Sequence, residues 1–222
     1  MDCSIGRDGR ARRSAPATAT VLVALVLLLL TACRRGEAAK AAPAEGGATY
    51  ARIVSISPST TEALFAVGAG AQVVGRSRYC TTPAEALALP QVGGYVDPSF
   101  EAILGLRPDL VVGERGPVGP RIAERLAERG VATYFPSTGS LSDIEAMVRG
   151  LGERTGHAGE AEAVVLRGRA RVADVERATS GRPRVRVLLV FGLDPLVVAG
   201  PASFASEMLA RAGAANIVEE GG

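Results

Sequence analysis

From residue 52 onward the chain alternates short apolar runs with amphipathic segments over brief joints, and this alternation narrows the fold more than any other feature. Residues 52–56 (RIVSI), 73–75 (VVG), 110–113 (LVVG) and 131–135 (VATYF) have the length and β-branched content of strands. Helix signals fall between them. Ser59-Thr60-Thr61-Glu62 has the form of a capping box, in which a hydroxyl and a carboxylate satisfy free N–H groups at a helix start. Ala63, Leu64 and Val67 give that helix an apolar stripe, and Gly68 can end it. Asp97 followed by Pro98 predicts a second helix start, with Phe100, Ile103 and Leu104 sharing one face. Residues 117–129 predict a third helix, stopped by Gly130. Strands and helices in strict alternation specify a parallel sheet covered on both faces.

The alternation then pauses. Residues 141–155 form an amphipathic pattern, and 159–179 a longer one in which Ala161, Val164, Val165, Val172 and Val175 recur near helical spacing. Roughly 40 residues without a strand are long for a connection inside one sheet, so they read as a helical bridge. Beyond Gly181 and Pro183, strands at 184–191 and 196–199, a helix at 203–211 and a new element from Asn216 restart the pattern. The expected fold is α/β: two parallel-sheet-containing lobes joined by a long rigid helix. The N-terminal lobe spans 51–139, the bridging helices 140–181 and a small, partial C-terminal lobe 182–222.

The first 32 residues belong to a different category. Arg7, Arg10, Arg12 and Arg13 precede an unbroken apolar run at 21–30. Spanning a bilayer takes about 20 apolar residues, so the run reads as the core of an export signal. Small residues then lead into Cys33 in Leu30-Thr31-Ala32-Cys33, which resembles the lipobox of bacterial lipoproteins. That resemblance implies cleavage before Cys33, lipidation of its thiol and attachment to a membrane on the exported side. Residues 33–50, rich in Ala, Gly, Pro and Glu, read as a flexible tether. The net charge of +2 is carried by the leader, which holds four Arg and two Asp, so cleavage leaves a neutral chain. A neutral chain with scattered arginines lacks the basic footprint that nucleic acid requires. With Cys33 lipidated, Cys80 has no partner for a disulfide, and it reads as a packed small residue.

Three segments together resemble the substrate-binding components of bacterial ABC importers for cobalamin, ferric siderophores and haem: RIVSISPSTTEALFAVGAG (52–70), VGGYVDPSFEAILGLRPDLVVG (92–113) and VLLVFGLDPLVVAGPASFASEMLARAGAANIV (187–218). The resemblance covers essentially all of 52–222. It implies two lobes on one rigid helix with the ligand in the cleft between them. It also implies roles for particular residues. Tyr95 matches an aromatic that packs on the corrin in the family's cobalamin binders, Tyr79 another cleft aromatic, and Ser59 a cleft-lining position at a helix N-cap. Phe191 is expected to face the cleft from the C-terminal lobe, and Glu101 to dock on arginines of the membrane permease. Glu114 stands where the cobalamin binders carry a cleft Trp. Members of the family continue for several dozen residues past the position of Val218, which implies an incomplete C-terminal lobe here.

These readings converge on a monomeric, lipid-anchored binding protein that captures a corrinoid or an iron chelate and delivers it to an importer, without cofactor and without covalent chemistry. The residues themselves leave alternatives open: an exported α/β enzyme, or a truncated, non-transporting relic. The enzyme reading has little to stand on. Gly-x-Ser-x-Gly, His-Glu-x-x-His and P-loop patterns are absent from the sequence, and its one histidine, His157, sits at a helix joint. One histidine also argues against capture of a bare zinc or manganese ion, since such sites use several.

Overall fold

The computed structural model describes residues 49–116 and 119–219. The expected export leader, Cys33 and nearly all of the expected tether lie outside them. Four parallel strands make the first sheet: β1 (Ile53–Ser55), β2 (Val73–Arg76), β3 (Leu110–Val112) and β4 (Ala132–Tyr134), in the order β2-β1-β3-β4. β1 and β3 run side by side with Ile53 opposite Leu110 and Ser55 opposite Val112. The carboxylate of Asp109 ties their starting ends together by accepting the N–H groups of Ala51 and Arg52, each at 2.9 Å.

Successive side chains of a strand face opposite ways, so each central strand feeds two cores. Ile53, Leu110 and Val112 pack with Ala63, Leu64 and Val67 of helix α1 (Pro58–Ala66). The same cluster takes in Met147, Val148 and Leu151 of α4 (Leu141–Thr155) and Ala161 and Val165 of α5 (Ala158–Thr179). Val54, Ile56 and Val111 pack on the other face with Phe100 and Ile103 of α2 (Phe100–Gly105) and with Ile122 and Leu126 of α3 (Gly119–Ala127). Both faces of the central strands β1 and β3 are thus covered, and these strands are mostly apolar because neither of their faces meets water.

Two helix starts differ from the sequence expectation. Ser59 is not the cap of α1. Ser57 holds that position and Pro58 opens the helix, where the missing N–H of proline leaves nothing unsatisfied. Asp97 does not cap α2 either. Ser99 does, its hydroxyl accepting the N–H of Ala102 at 3.2 Å. In both cases the displaced side chain is released for another task.

α4 and α5 form an antiparallel pair, and α5 is the long helix that carries the chain into the second lobe. There the elements are small: β5 (Val185–Val187), β6 (Val190–Leu193), β7 (Leu196–Val198), α6 (Phe204–Arg211) and β8 (Ala214–Asn216). The run expected as one strand over 184–191 is two. β5 pairs in parallel with β8, whereas β6 folds back antiparallel on β7 through the turn at Asp194-Pro195. Among the described residues of this lobe only Ala199 and Ala214 are buried apolar side chains. Val185, Phe191, Leu193 and Leu196 are each more than 60% exposed. The lobe is held to the helical bridge by charge. Glu207 of α6 accepts the free N–H of Leu141 at the start of α4 at 2.8 Å, and Arg211 pairs with Glu176 of α5 at 2.9 Å.

Candidate functional site

The strand order creates the site. From β1 the chain goes to one side to form β2, then returns across β1 to form β3 on the other. Connections that diverge in this way leave a crevice beyond the carboxyl ends of the two strands, where open α/β sheets bind their ligands. Here those ends are Ser55 and Val112. The segments that follow them converge: Ser59, in the first turn of α1, donates its hydroxyl to Oε1 of Glu114, just past β3.

Ser59 is aimed by its neighbours. Five hydroxyl residues occur between Ser55 and Thr61, and they bond chiefly to one another. Ser55 Oγ lies 2.8 Å from Thr60 Oγ1, Ser57 Oγ lies 2.9 Å from Thr60 Oγ1, and Thr61 donates to Ser55 Oγ at 2.7 Å. Thr61 also reaches the buried Cys80 Sγ at 3.0 Å. This rack explains why Ser57 makes no capping bond with its side chain. Within it Ser59 is the half-buried member at the rim, leaning on Ser57 at 3.3 Å and turned to Glu114.

Tyr95 enters from the loop between β2 and α2. That loop is pinned at its base, where Arg78 N–H donates to Gly93 O at 2.8 Å and Ser99 N–H to Val92 O at 2.8 Å. Gly93 sits at φ +99°, and a Cβ there would press on Asp97 O at 2.6 Å, so the turn requires glycine. The tip carries Tyr95 across to the loop after β3. A Cβ on Gly116 would overlap the Tyr95 hydroxyl, which shows how closely the ring lies against that backbone. Burial raises the phenol's pKa above its ordinary value, and the negative charge of Glu114 raises it further. Tyr95, Ser59 and Glu114 therefore form one wall with the 113–116 backbone.

Tyr79 stands beside this wall, 55% exposed, with its backbone N–H on Ser77 Oγ at 3.1 Å. The Arg78 guanidinium lies 5.5 Å from its ring centroid. Arg78 is in turn ion-paired with Asp97, the residue freed from helix capping. Their hydrogen bond raises the pKa of Arg78 and lowers that of Asp97. Phe191 lies on β6, and nothing among the described residues bonds it to this wall. Glu101 is exposed in the first turn of α2. Sequence reasoning missed Gly116, the Arg78–Asp97 pair and the hydroxyl rack. The rack did leave a signal, a run of hydroxyl residues directly after a buried strand. Among the described residues no cluster of His, Cys, Asp and Glu is arranged to hold a metal ion.

A profile of the periplasmic binding proteins matches residues 53–222. The chain belongs to the periplasmic binding protein family. A vitamin B12-binding protein of Pectobacterium atrosepticum is 30% identical over 174 residues, an alignment covering 76% of this chain and 62% of the relative. The chain thus spans about three fifths of the length of that curated relative. Among solved structures, the periplasmic vitamin B12-binding protein of Vibrio cholerae superposes with a TM-score of 0.69 at 25% identity, covering 77% of this chain and 68% of that one. A periplasmic haem-binding protein from Pseudomonas aeruginosa superposes with a TM-score of 0.68 at 33% identity, covering 78% and 64%. These matches show the two-lobed α/β architecture with its connecting helix.

This periplasmic binding protein has a second concavity, of about 420 Å³, between α4, α5 and α6. Glu145, Arg169, Glu176, Glu207 and Arg211 line it. Its charges satisfy one another: Arg169 pairs with Glu145, and Arg211 with both Glu176 and Glu207. It lies away from the switch point and reads as the seam that fastens α6 to the bridge.

Proposed function

We propose that this chain is the substrate-binding component of an ABC importer, and that it holds a large flat ligand, a corrinoid or a related haem or iron-siderophore chelate, against the wall formed by Ser59, Tyr79, Tyr95 and Glu114. The observation that carries this reading is the convergence of Ser59, Tyr95 and Glu114 at the switch point of the first sheet. Flat aromatic surface suits a planar macrocycle, and a few fixed polar groups orient it. The relatives named above for binding vitamin B12 and haem support the ligand class. Capture and release require no bond to be made or broken, so the site needs rigidity and shape, which the hydroxyl rack and the pinned loop supply.

The remaining roles follow from this reading. Phe191 closes on the ligand from the second lobe. Glu101, exposed on α2, meets the permease through its charge. Lipidated Cys33 holds the exported protein at a membrane, residues 33–50 tether it, and it works as a monomer. The lobes correspond to 51–139 and 182–222, with 140–181 as the bridge.

Equilibrium dialysis of the purified chain against cyanocobalamin, haemin and a ferric siderophore tests the proposal. Saturable uptake of one ligand, weakened about tenfold or more by Tyr95→Ala as expected for loss of a buried aromatic contact, supports it. A chain folded by circular dichroism that takes up none of the three overturns it.

A further inference from the structure

The polar content of the crevice wall is unbalanced in charge. Glu114 is half-buried, and among the described residues no arginine or lysine lies within ion-pair distance of its carboxylate. Its one side-chain partner is the Ser59 hydroxyl, which is neutral. Arg78, which lies over the Tyr79 ring, is already paired with Asp97. Arg115 is more exposed than Glu114, and an exposed cation is screened by water where a half-buried carboxylate is screened less. With Ser59 spending its proton on Glu114, the wall offers a ligand hydrogen-bond acceptors and negative charge.

Such a wall distinguishes between the ligand classes. A corrinoid carries primary carboxamides round its rim, which are N–H donors without charge. Haem carries ionised propionates, and ferric catecholates are multiply anionic. Bringing either of those against an unpaired, partly desolvated carboxylate is unfavourable, and like charges in register cost more as water is excluded. A carboxamide N–H reaching Glu114 forms a charge-assisted bond instead. Resting on the reading of this wall as the ligand site, we propose that Glu114 is a specificity-determining residue that accepts a carboxamide N–H of a corrinoid and turns away anionic chelates.

The test compares affinities of wild type, Glu114→Gln and Arg115→Gln for cyanocobalamin and haemin, by equilibrium dialysis of the full chain. Glu114→Gln keeps the shape and removes the charge, and thermal unfolding confirms that each variant is folded. Wild type is expected to prefer cyanocobalamin. Glu114→Gln is expected to weaken cyanocobalamin by about three- to tenfold, the worth of the charge in one hydrogen bond, and to tighten haemin. Arg115→Gln is expected to leave the ratio of the two affinities where it was. Cyanocobalamin binding with a ratio unmoved by Glu114→Gln overturns the role of Glu114 and leaves the binding reading standing. Wild-type preference for haemin, or an equal shift from Arg115→Gln, overturns it as well. Failure of wild type to bind either ligand or a ferric siderophore removes the binding reading and this inference together.

Discussion

Gly116 and Gly93 separate, at the scale of single residues, what shapes the site from what holds the fold. A methyl group on Gly116 collides with the Tyr95 hydroxyl, the far end of a ring carried at the tip of the loop between β2 and α2. Gly116→Ala is therefore expected to push the ring out of the wall and weaken ligand binding about tenfold, at a stability change near or below about 0.5 kcal/mol. Gly93→Ala meets backbone on every side at a positive φ, and is expected to destabilise the chain by about 1–3 kcal/mol. Chemical denaturation beside ligand titration distinguishes the two. A Gly116→Ala chain that binds as well as wild type would show that Tyr95 need not rest on that backbone. The sequence was legible here in residue type but not in geometry. Ser57, Ser59 and Thr60 are all competent caps, so a hydroxyl run cannot by itself name the helix start; Pro58, which cannot follow a cap except as the first helical residue, is what fixes it. Asp97 misled in the same way, because a carboxylate before Pro reads as a cap until Arg78, 19 residues earlier in the same connection, claims it.

Whole elements differ in how firmly they are fixed. Leu151 of α4 is fully buried in the cluster that joins the sheet to both bridging helices, so Leu151→Ala is expected to cost about 2–5 kcal/mol in urea unfolding. α6 is fastened far more lightly, and by a titrating group. The N–H of Leu141 holds the Glu207 carboxyl below its ordinary value of 4.5, and Arg211 lowers it further. A carboxylate depressed in this way contributes stability that is complete above its unfolded value and fades as pH falls through its folded value. Acidification below about pH 4.5 is thus expected to release the start of α4, read as faster amide exchange at Leu141, and Glu207→Gln should flatten that pH response. Exchange at Leu141 with the same pH response in Glu207→Gln would assign the effect elsewhere. β1 and β3 were legible because both their faces are buried, which forces mostly apolar runs of strand length. The run at 184–191 was not, because Val-Leu-Leu-Val-Phe contains no turn residue. Its break between Val187 and Val190 is set by partners, β8 for one half and β7 for the other.

Across the whole molecule the two lobes are unequally closed. The central strands of the first sheet are covered on both faces, while the hairpin β6–β7 sets Leu193 opposite Leu196 with both side chains largely in water. A buried leucine pair would resist charge; an exposed one should accept it. Leu193→Lys with Leu196→Glu places opposite charges across the hairpin, where such a pair is mildly favourable. The double variant is expected to unfold within about 0.5–1 kcal/mol of wild type, because neither side chain leaves a core. It is also expected to lower self-association at high concentration, since exposed apolar side chains on short strands are what non-specific contacts use. Light scattering across a concentration series reads the second effect and urea unfolding the first. A loss above about 2 kcal/mol would mean that these leucines are covered in solution, by a second copy if scattering mass falls at the same time and within the chain if it does not.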